Sequence, residues 1–177
     1  MLFRSSGKQA RTQLEAVCEI RDVVEAYVYS PNVRNRETFA HEMSAELGVK
    51  VVPVARPELA AEDKDILITA TTSVEPVVRS EWVGAGTPLC AIGSNFLGKR
   101  ELDVETIRRC QAIVVDDKEQ AKLEAGDLAR AFDDGAIRWS DVIELGSLVV
   151  HNHHGRHQSD DLTLFKSVGT AFEDLAV

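Results

Sequence analysis

A doubly wound parallel β-sheet covered by helices on both faces, a three-layer α/β/α arrangement, is the fold class this sequence predicts. Three observations point to it. Short apolar runs alternate with amphipathic stretches along the chain, the pattern of strands joined by crossover helices. A glycine-containing turn, Ser5-Ser6-Gly7, separates the first apolar run from the first amphipathic stretch. No internal repeat or low-complexity linker breaks the alternation over 177 residues, a length that suits one domain with a substantial core.

Met1 to Arg4 reads as the tail of a first strand. Lys8 to Arg21 reads as a helix with Ala10, Leu14, Val17 and Cys18 on its inner side, at helical spacing. Ala26 to Tyr29 is the second strand, and Arg34 to Leu47 a helix closed by Gly48 at a C-terminal cap. The β-branched run Val49 to Val54 is the third strand. Pro57 to Asp63 is one or two helical turns; Asp65 to Ala70, Pro88 to Ile92 and Ala112 to Val115 are strands four to six. Lys118 to Phe132 is rich in Ala, Leu and Glu and reads as one helix. Thr163 to Leu175 is expected to be another, with Ser159-Asp160-Asp161 near its start supplying capping chemistry. Residues 1–150 are expected to form a nucleotide-binding unit, with 151–177 a C-terminal loop and helix packed on it.

Composition excludes several function classes. A formal charge of −9 argues against a nucleic-acid surface, which needs a basic footprint, but backbone amides still hold an anionic cofactor. No apolar run suggests a membrane span or a signal peptide, so the expected location is the cytoplasm. Cys18, Cys90 and Cys110 are odd in number and far apart, as suits reduced thiols. His151, His153, His154 and His157 crowd one loop, but no carboxylate or thiol pattern completes a metal site. No metal is expected.

Ser5-Ser6-Gly7-Lys8-Gln9-Ala10 occupies the place of a G-x-G-x-x-G/A phosphate turn, making the fold Rossmann-like with the first strand central in the order 3-2-1-4-5-6. Gly7 lets the backbone approach a pyrophosphate, and Ala10 lets helix and strand pack. Ser5 replaces the first glycine and is expected to strain the turn. The helix that follows offers free N–H groups to phosphate. The second strand ends in Ser30 where NAD-binding sheets carry a carboxylate, and Arg34 and Arg36 follow. This favours NADP over NAD, or else Arg34 and Arg36 are solvated helix residues. Thr71, Thr72 and Ser73 end the fourth strand, Gly93 and Ser94 the fifth, all on the sheet edge where ligands sit. Asp116 ends the sixth strand, where it either orients the second half of the cofactor or caps the helix near Lys118. Only four residues precede Ser5, short of the roughly five or six of an ordinary strand, so the chain reads as truncated.

Three segments together resemble the ornithine cyclodeaminase/mu-crystallin family: Gly7-Lys8-Gln9-Ala10-Arg11-Thr12-Gln13, Ala91-Ile92-Gly93-Ser94-Asn95 through Gly98-Lys99-Arg100-Glu101-Leu102-Asp103, and Thr163-Leu164-Phe165-Lys166-Ser167-Val168-Gly169. Thr69-Ala70-Thr71-Thr72-Ser73, before Glu75-Pro76, is similar to the family's threonine-rich segment. The resemblance implies an NAD(P)-dependent oxidoreductase or deaminase acting on amino or imino acids, a homo-oligomer whose N-terminal domain holds the substrate. That domain has no counterpart here, so a weakly active or inactive dinucleotide-binding domain is expected. A non-catalytic binding or interaction module is the alternative. The resemblance adds Lys8, Gln9, Arg11 and Thr12 to the expected cofactor contacts. Cyclodeaminases of the family carry an acid/base Asp where this chain has Asn95, and an amide takes no proton at neutral pH.

Overall fold

The computed structural model describes residues 2–150 and 155–169. The elements are β1 (Leu2–Arg4), α1 (Lys8–Ile20), β2 (Glu25–Val28), α2 (Val33–Leu47), β3 (Lys50–Pro53), β4 (Leu67–Thr69), β5 (Pro88–Ala91), α3 (Val104–Arg108), β6 (Ala112–Val115), α4 (Lys118–Glu124), α5 (Gly126–Asp133), β7 (Val142–Glu144), α6 (Leu145–Val150) and β8 (Thr163–Lys166). Eight strands form one sheet in the order β3-β2-β1-β4-β5-β8-β6-β7, and every pairing is parallel. This is the expected Rossmann-like α/β fold, with β1 flanked by β2 and β4.

Local chemistry sets several helix ends. The Asn32 side chain accepts from the Asn35 N–H and starts α2; Gly48, at φ 66°, ends it in the left-handed region that glycine tolerates. Asp103 and Asp117 accept from Thr106 N and Gln120 N to start α3 and α4. Ala10 and Leu14, four residues apart on α1, are fully buried. They join Phe39, Ala40 and Met43 of α2 on Ala26, Val28, Val51 and Ile68 of the sheet. A second cluster covers the other half of the sheet around Leu89, Val115, Leu128 and Leu164.

Two expectations are corrected. Lys118 to Phe132 is not one helix, because α4 ends before Ala125 and α5 restarts at Gly126. A Cβ at Gly126 would lie 2.2 Å from Lys99 O and 2.6 Å from Leu97 O, so the loop after β5 packs where a continuous helix would carry a side chain. The helix expected from Thr163 is instead the strand β8, inserted between β5 and β6. Its alternation buries Leu164 and Lys166 on one side. The carboxylate of Asp161, expected to cap a helix, instead accepts from His157 N and Gln158 N and closes the preceding turn. The remainder of that expected helix beyond Gly169, and His151, His153 and His154, lie outside the described residues.

Candidate dinucleotide cleft

A cleft of about 620 Å³ opens where β1, β2 and β4 end. Its walls are Ser5, Ser6 and Gly7 after β1, Tyr29, Ser30 and Pro31 after β2, and Ala70 to Ser73 after β4, with Val77 beside them. This is the carboxyl edge of an open parallel sheet, where such folds bind ligands. A larger hollow of about 1030 Å³ lies at the opposite edge, between Asp63–Ile66 and Gly84–Pro88. It faces the amino ends of β4, β5 and β8, away from any helix start, and is the poorer candidate on that ground.

The cleft floor is the start of α1. Gly7 takes the N-cap position with no side-chain cap, and the first turn holds no acidic residue. Three other helix starts are closed by Asn32, Asp103 and Asp117. The positive dipole end of α1 therefore adjoins the cleft at Gly7, and only the Gly7 N–H of its start is met by a side chain. Gly7 N donates to Ser5 Oγ at 3.1 Å, so the serine hydroxyl braces the turn in place of the missing glycine. The expected strain at Ser5 is not found: Asp63 is the one non-glycine residue at positive φ among the described residues.

Of the expected contacts, Ser5, Gly7, Ser30, Thr71, Thr72 and Ser73 line the cleft together. Lys8, Gln9, Arg11, Thr12, Arg34, Gly93, Ser94 and Asp116 do not. Arg11 points at α2, paired with Glu42 and stacked 5.4 Å over the Phe39 ring, and so ties α1 to α2. Thr12 Oγ1 donates to Gln9 O within α1. Ser30 is mostly buried and its carbonyl accepts from Arg36 Nη1 at 3.0 Å. That leaves Arg34 exposed on the first turn of α2, with no ion pair among the described residues.

Thr71 and Ser73 spend part of their polar capacity on their own turn: Ser73 N donates to Thr71 Oγ1, and Ser73 Oγ to Glu75 O. Ser94 is fully buried and donates to Lys99 O at 2.7 Å, bracing the loop whose exposed tip carries Asn95. Asp116 neither faces the cleft nor caps α4. One of its oxygens accepts from Ser167 Oγ and from the N–H groups of Val168 and Gly169, tying the end of β6 to the end of β8, while Asp117 caps α4.

Behind the cleft lie three charged residues that sequence reasoning missed as site residues: Glu101, Asp127 and Lys166, each 0–1% exposed. Glu101 accepts from Thr71 N at 2.6 Å and Gly93 N at 2.8 Å. Asp127 accepts from Glu101 N at 2.6 Å and Leu102 N at 2.9 Å. Lys166 Nζ donates to Ala91 O and Ser167 O and stands 3.9 Å from Asp127 Oδ2. Burial pushes both carboxyls above their ordinary range, partly offset by Lys166, and pushes the Lys166 ammonium below its own. The sequence signal for this cluster was the place of Glu101 and Lys166 within two of the segments that carry the family resemblance.

No carboxylate, imidazole, thiol or amine stands among the cleft-lining side chains. The walls offer hydroxyls, backbone amides and a helix start, which is binding chemistry for a phosphate-bearing ligand. Among the described residues no cluster of His, Cys, Asp and Glu suits a metal ion, and no helix is long and apolar enough to cross a membrane.

A family model for the ornithine cyclodeaminase/mu-crystallin family matches residues 2–177. The chain is 36% identical over 176 residues to an alanine dehydrogenase of Archaeoglobus fulgidus, which covers 99% of this chain and 53% of that protein. Among solved structures, the Delta(1)-pyrroline-2-carboxylate reductase of Thermococcus litoralis, in complex with NADH and L-proline, superposes with a TM-score of 0.93 at 43% identity, covering 97% of this chain and 53% of that one. An archaeal alanine dehydrogenase dimer with bound NAD superposes with a TM-score of 0.91 at 36% identity, over 99% and 53% of the two chains. The chain thus spans about half the length of these relatives.

Proposed function

The chain belongs to the ornithine cyclodeaminase/mu-crystallin family, and we propose that it serves as the NAD(P)-binding domain of an amino-acid or imino-acid oxidoreductase or deaminase. The observation that carries this reading is the start of α1, which opens without a side-chain cap into a neutral cleft at the carboxyl edge of the sheet. A pyrophosphate there would accept the orphan N–H groups of α1, with Gly7 allowing close approach. The adenosine end would lie toward Ser30, and the nicotinamide end toward Thr71–Ser73, Gly93 and Ser94. When bound, the cofactor supplies hydride exchange with a carbon bearing nitrogen. Residues 1–150 would form the nucleotide-binding unit, with β8 contributed by the 151–177 segment.

The finer assignments rest on particular residues. NADP is favoured over NAD because Ser30 stands where a carboxylate would read the ribose hydroxyls, and because Arg34 is unpaired beside it. Reductase or dehydrogenase chemistry is favoured over the lyase chemistry of a cyclodeaminase, because Asn95 takes no proton at neutral pH. Substrate contacts, an amino acid or cyclic imino acid, would come from outside this chain. The resemblance and composition favour a cytoplasmic homo-oligomer, and Phe96 and Leu97, both more than half exposed in the loop after β5, suit a covering surface. A non-catalytic dinucleotide-binding module is the second reading, favoured by the lack of any acid or base in the cleft lining.

Titration with NADPH and NADH, followed by nicotinamide fluorescence, tests the reading, and sedimentation of the same sample reports its assembly. The expected outcome is saturable binding of both, NADPH at least as tightly, by a self-associated chain. Failure of both to bind would refute the assignment, and a clear NADH preference would refute the cofactor choice.

A further inference from the structure

The two turns that end β4 and β5 touch through backbone alone. A Cβ at Gly93 would lie 2.2 Å from both Thr71 N and Thr71 O. The last ladder bond between the strands is Ile92 N to Thr69 O at 2.9 Å, and beyond it the two N–H donors need a holder of their own. Glu101 is that holder, each oxygen taking one N–H, Thr71 on one side and Gly93 on the other. A buried carboxylate of fixed width thereby bridges the two turns just past the strand ends. Glu101 is itself held, because its backbone N–H donates to Asp127 Oδ1 at the first turn of α5. Asp127 faces Lys166 of β8, whose Nζ donates back to the β5 carbonyl of Ala91. Four elements, β4, β5, α5 and β8, meet in this one buried cluster.

Burying two carboxylates and an ammonium is a costly way to fill space, since well-packed apolar residues of similar volume are often as stable or more so. What the charges add here is geometry. Thr71, one of the two donors, lines the cleft, on the side that takes the second nucleotide of a dinucleotide. The adenosine side, at Ser5–Gly7 and Ser30, makes no hydrogen bond or ion pair with the cluster among the described residues.

We propose that Glu101 is a positioning residue for the nicotinamide half of the bound dinucleotide, fixing the Thr71–Ser73 turn against Gly93, with Asp127 and Lys166 holding Glu101 in place. The proposal rests on the dinucleotide reading of the cleft. Its test separates the two halves of the ligand. NADH and ADP are titrated against the unaltered chain and Glu101→Gln, which leaves an NH2 group facing one of the two backbone donors. NADH affinity is expected to fall about tenfold, the scale of one unmade buried hydrogen bond, with ADP affinity within about twofold of the unaltered chain on the same scale. Glu101→Asp keeps the charge but is too short to span both donors, and should show the same selectivity. Equal losses for both ligands, or no loss for either, overturn the proposal. Should the variants not fold, amide exchange in the unaltered chain decides. Slow exchange at Thr71 and Gly93 with and without NADH supports a pre-set spacing, and fast exchange in the ligand-free chain overturns it. An unaltered chain that binds neither ligand overturns the dinucleotide reading itself.

Discussion

The two sides of the cleft are built on different physical terms. On the side of β1 and β2, the walls are made by contacts close in sequence: Gly7 N to Ser5 Oγ two residues away, Arg36 to the Ser30 carbonyl six away. Behind them the packing is apolar, from Ala10 and Leu14 to Phe39 and Met43. On the side of β4 and β5, the walls are set by buried charges reaching across the chain, 30 residues from Glu101 to Thr71 and 75 from Lys166 to Ala91. The first side can bend with less loss, because its Ser5–Gly7 bond is exposed and its Ser30–Arg36 bond only part-buried. The second cannot, because a buried polar group without its partner costs its full desolvation. On the proposed dinucleotide reading, the phosphate end of the cleft is thus held by local bonds and the nicotinamide end by a buried charged cluster.

The strongest way to break this contrast is to remove the one cation from the buried cluster. Lys166→Met leaves Glu101 and Asp127 buried without a counter-charge, and unmaking a buried pair in this way costs about 3–5 kcal/mol. Denaturant unfolding should register that loss at neutral pH. The sign with pH is specific. Both carboxyls titrate above their unfolded values, so the folded state binds more protons across that interval and the two groups cost stability increasingly as pH rises through it. Removing Lys166 raises both further, so the deficit of the variant should shrink as pH falls into the carboxylate range. A deficit independent of pH would mean that lost packing, not charge, is responsible.

A smaller effect is expected on the side of β1 and β2. Arg34→Ala should weaken NADPH about tenfold, the scale of a hydrogen bond to a charged group, while leaving NADH unchanged in the same titration. Equal weakening of both cofactors would show that Arg34 does not read the 2′-phosphate. The smallest effect is at the turn itself. Ser5→Gly removes the hydroxyl that occupies the Gly7 N–H and should tighten both dinucleotides by a few-fold, below the roughly 1 kcal/mol of an average net hydrogen bond. Weaker binding, measured in parallel with the unaltered chain, would show that Ser5 contacts the ligand directly.

Much of this molecule was legible in the chain before any coordinates. The first six strands, α1 and α2 follow from apolar periodicity, and Gly48 marks the end of α2 because a cap is local chemistry, while the start of α2 at the Asn32 cap was not read. The turn at Ser5–Gly7 and the position of Ser30 were likewise visible, since both follow directly from a strand end. Tertiary structure decided the rest. Thr163–Lys166 has an alternation too short to announce a strand, and it is one because β5 and β6 leave a slot with unpaired donors and acceptors on both sides. Gly126 breaks a sequence of good helix formers because carbonyls from the β5 loop occupy its side-chain space. Arg11, matched by motif to the ligand, pairs with Glu42 and stacks over Phe39, because folding lays α2 beside α1. Glu101, Asp127 and Lys166 are ordinary surface residue types, and only the meeting of distant segments puts them out of water, where their charges must find one another.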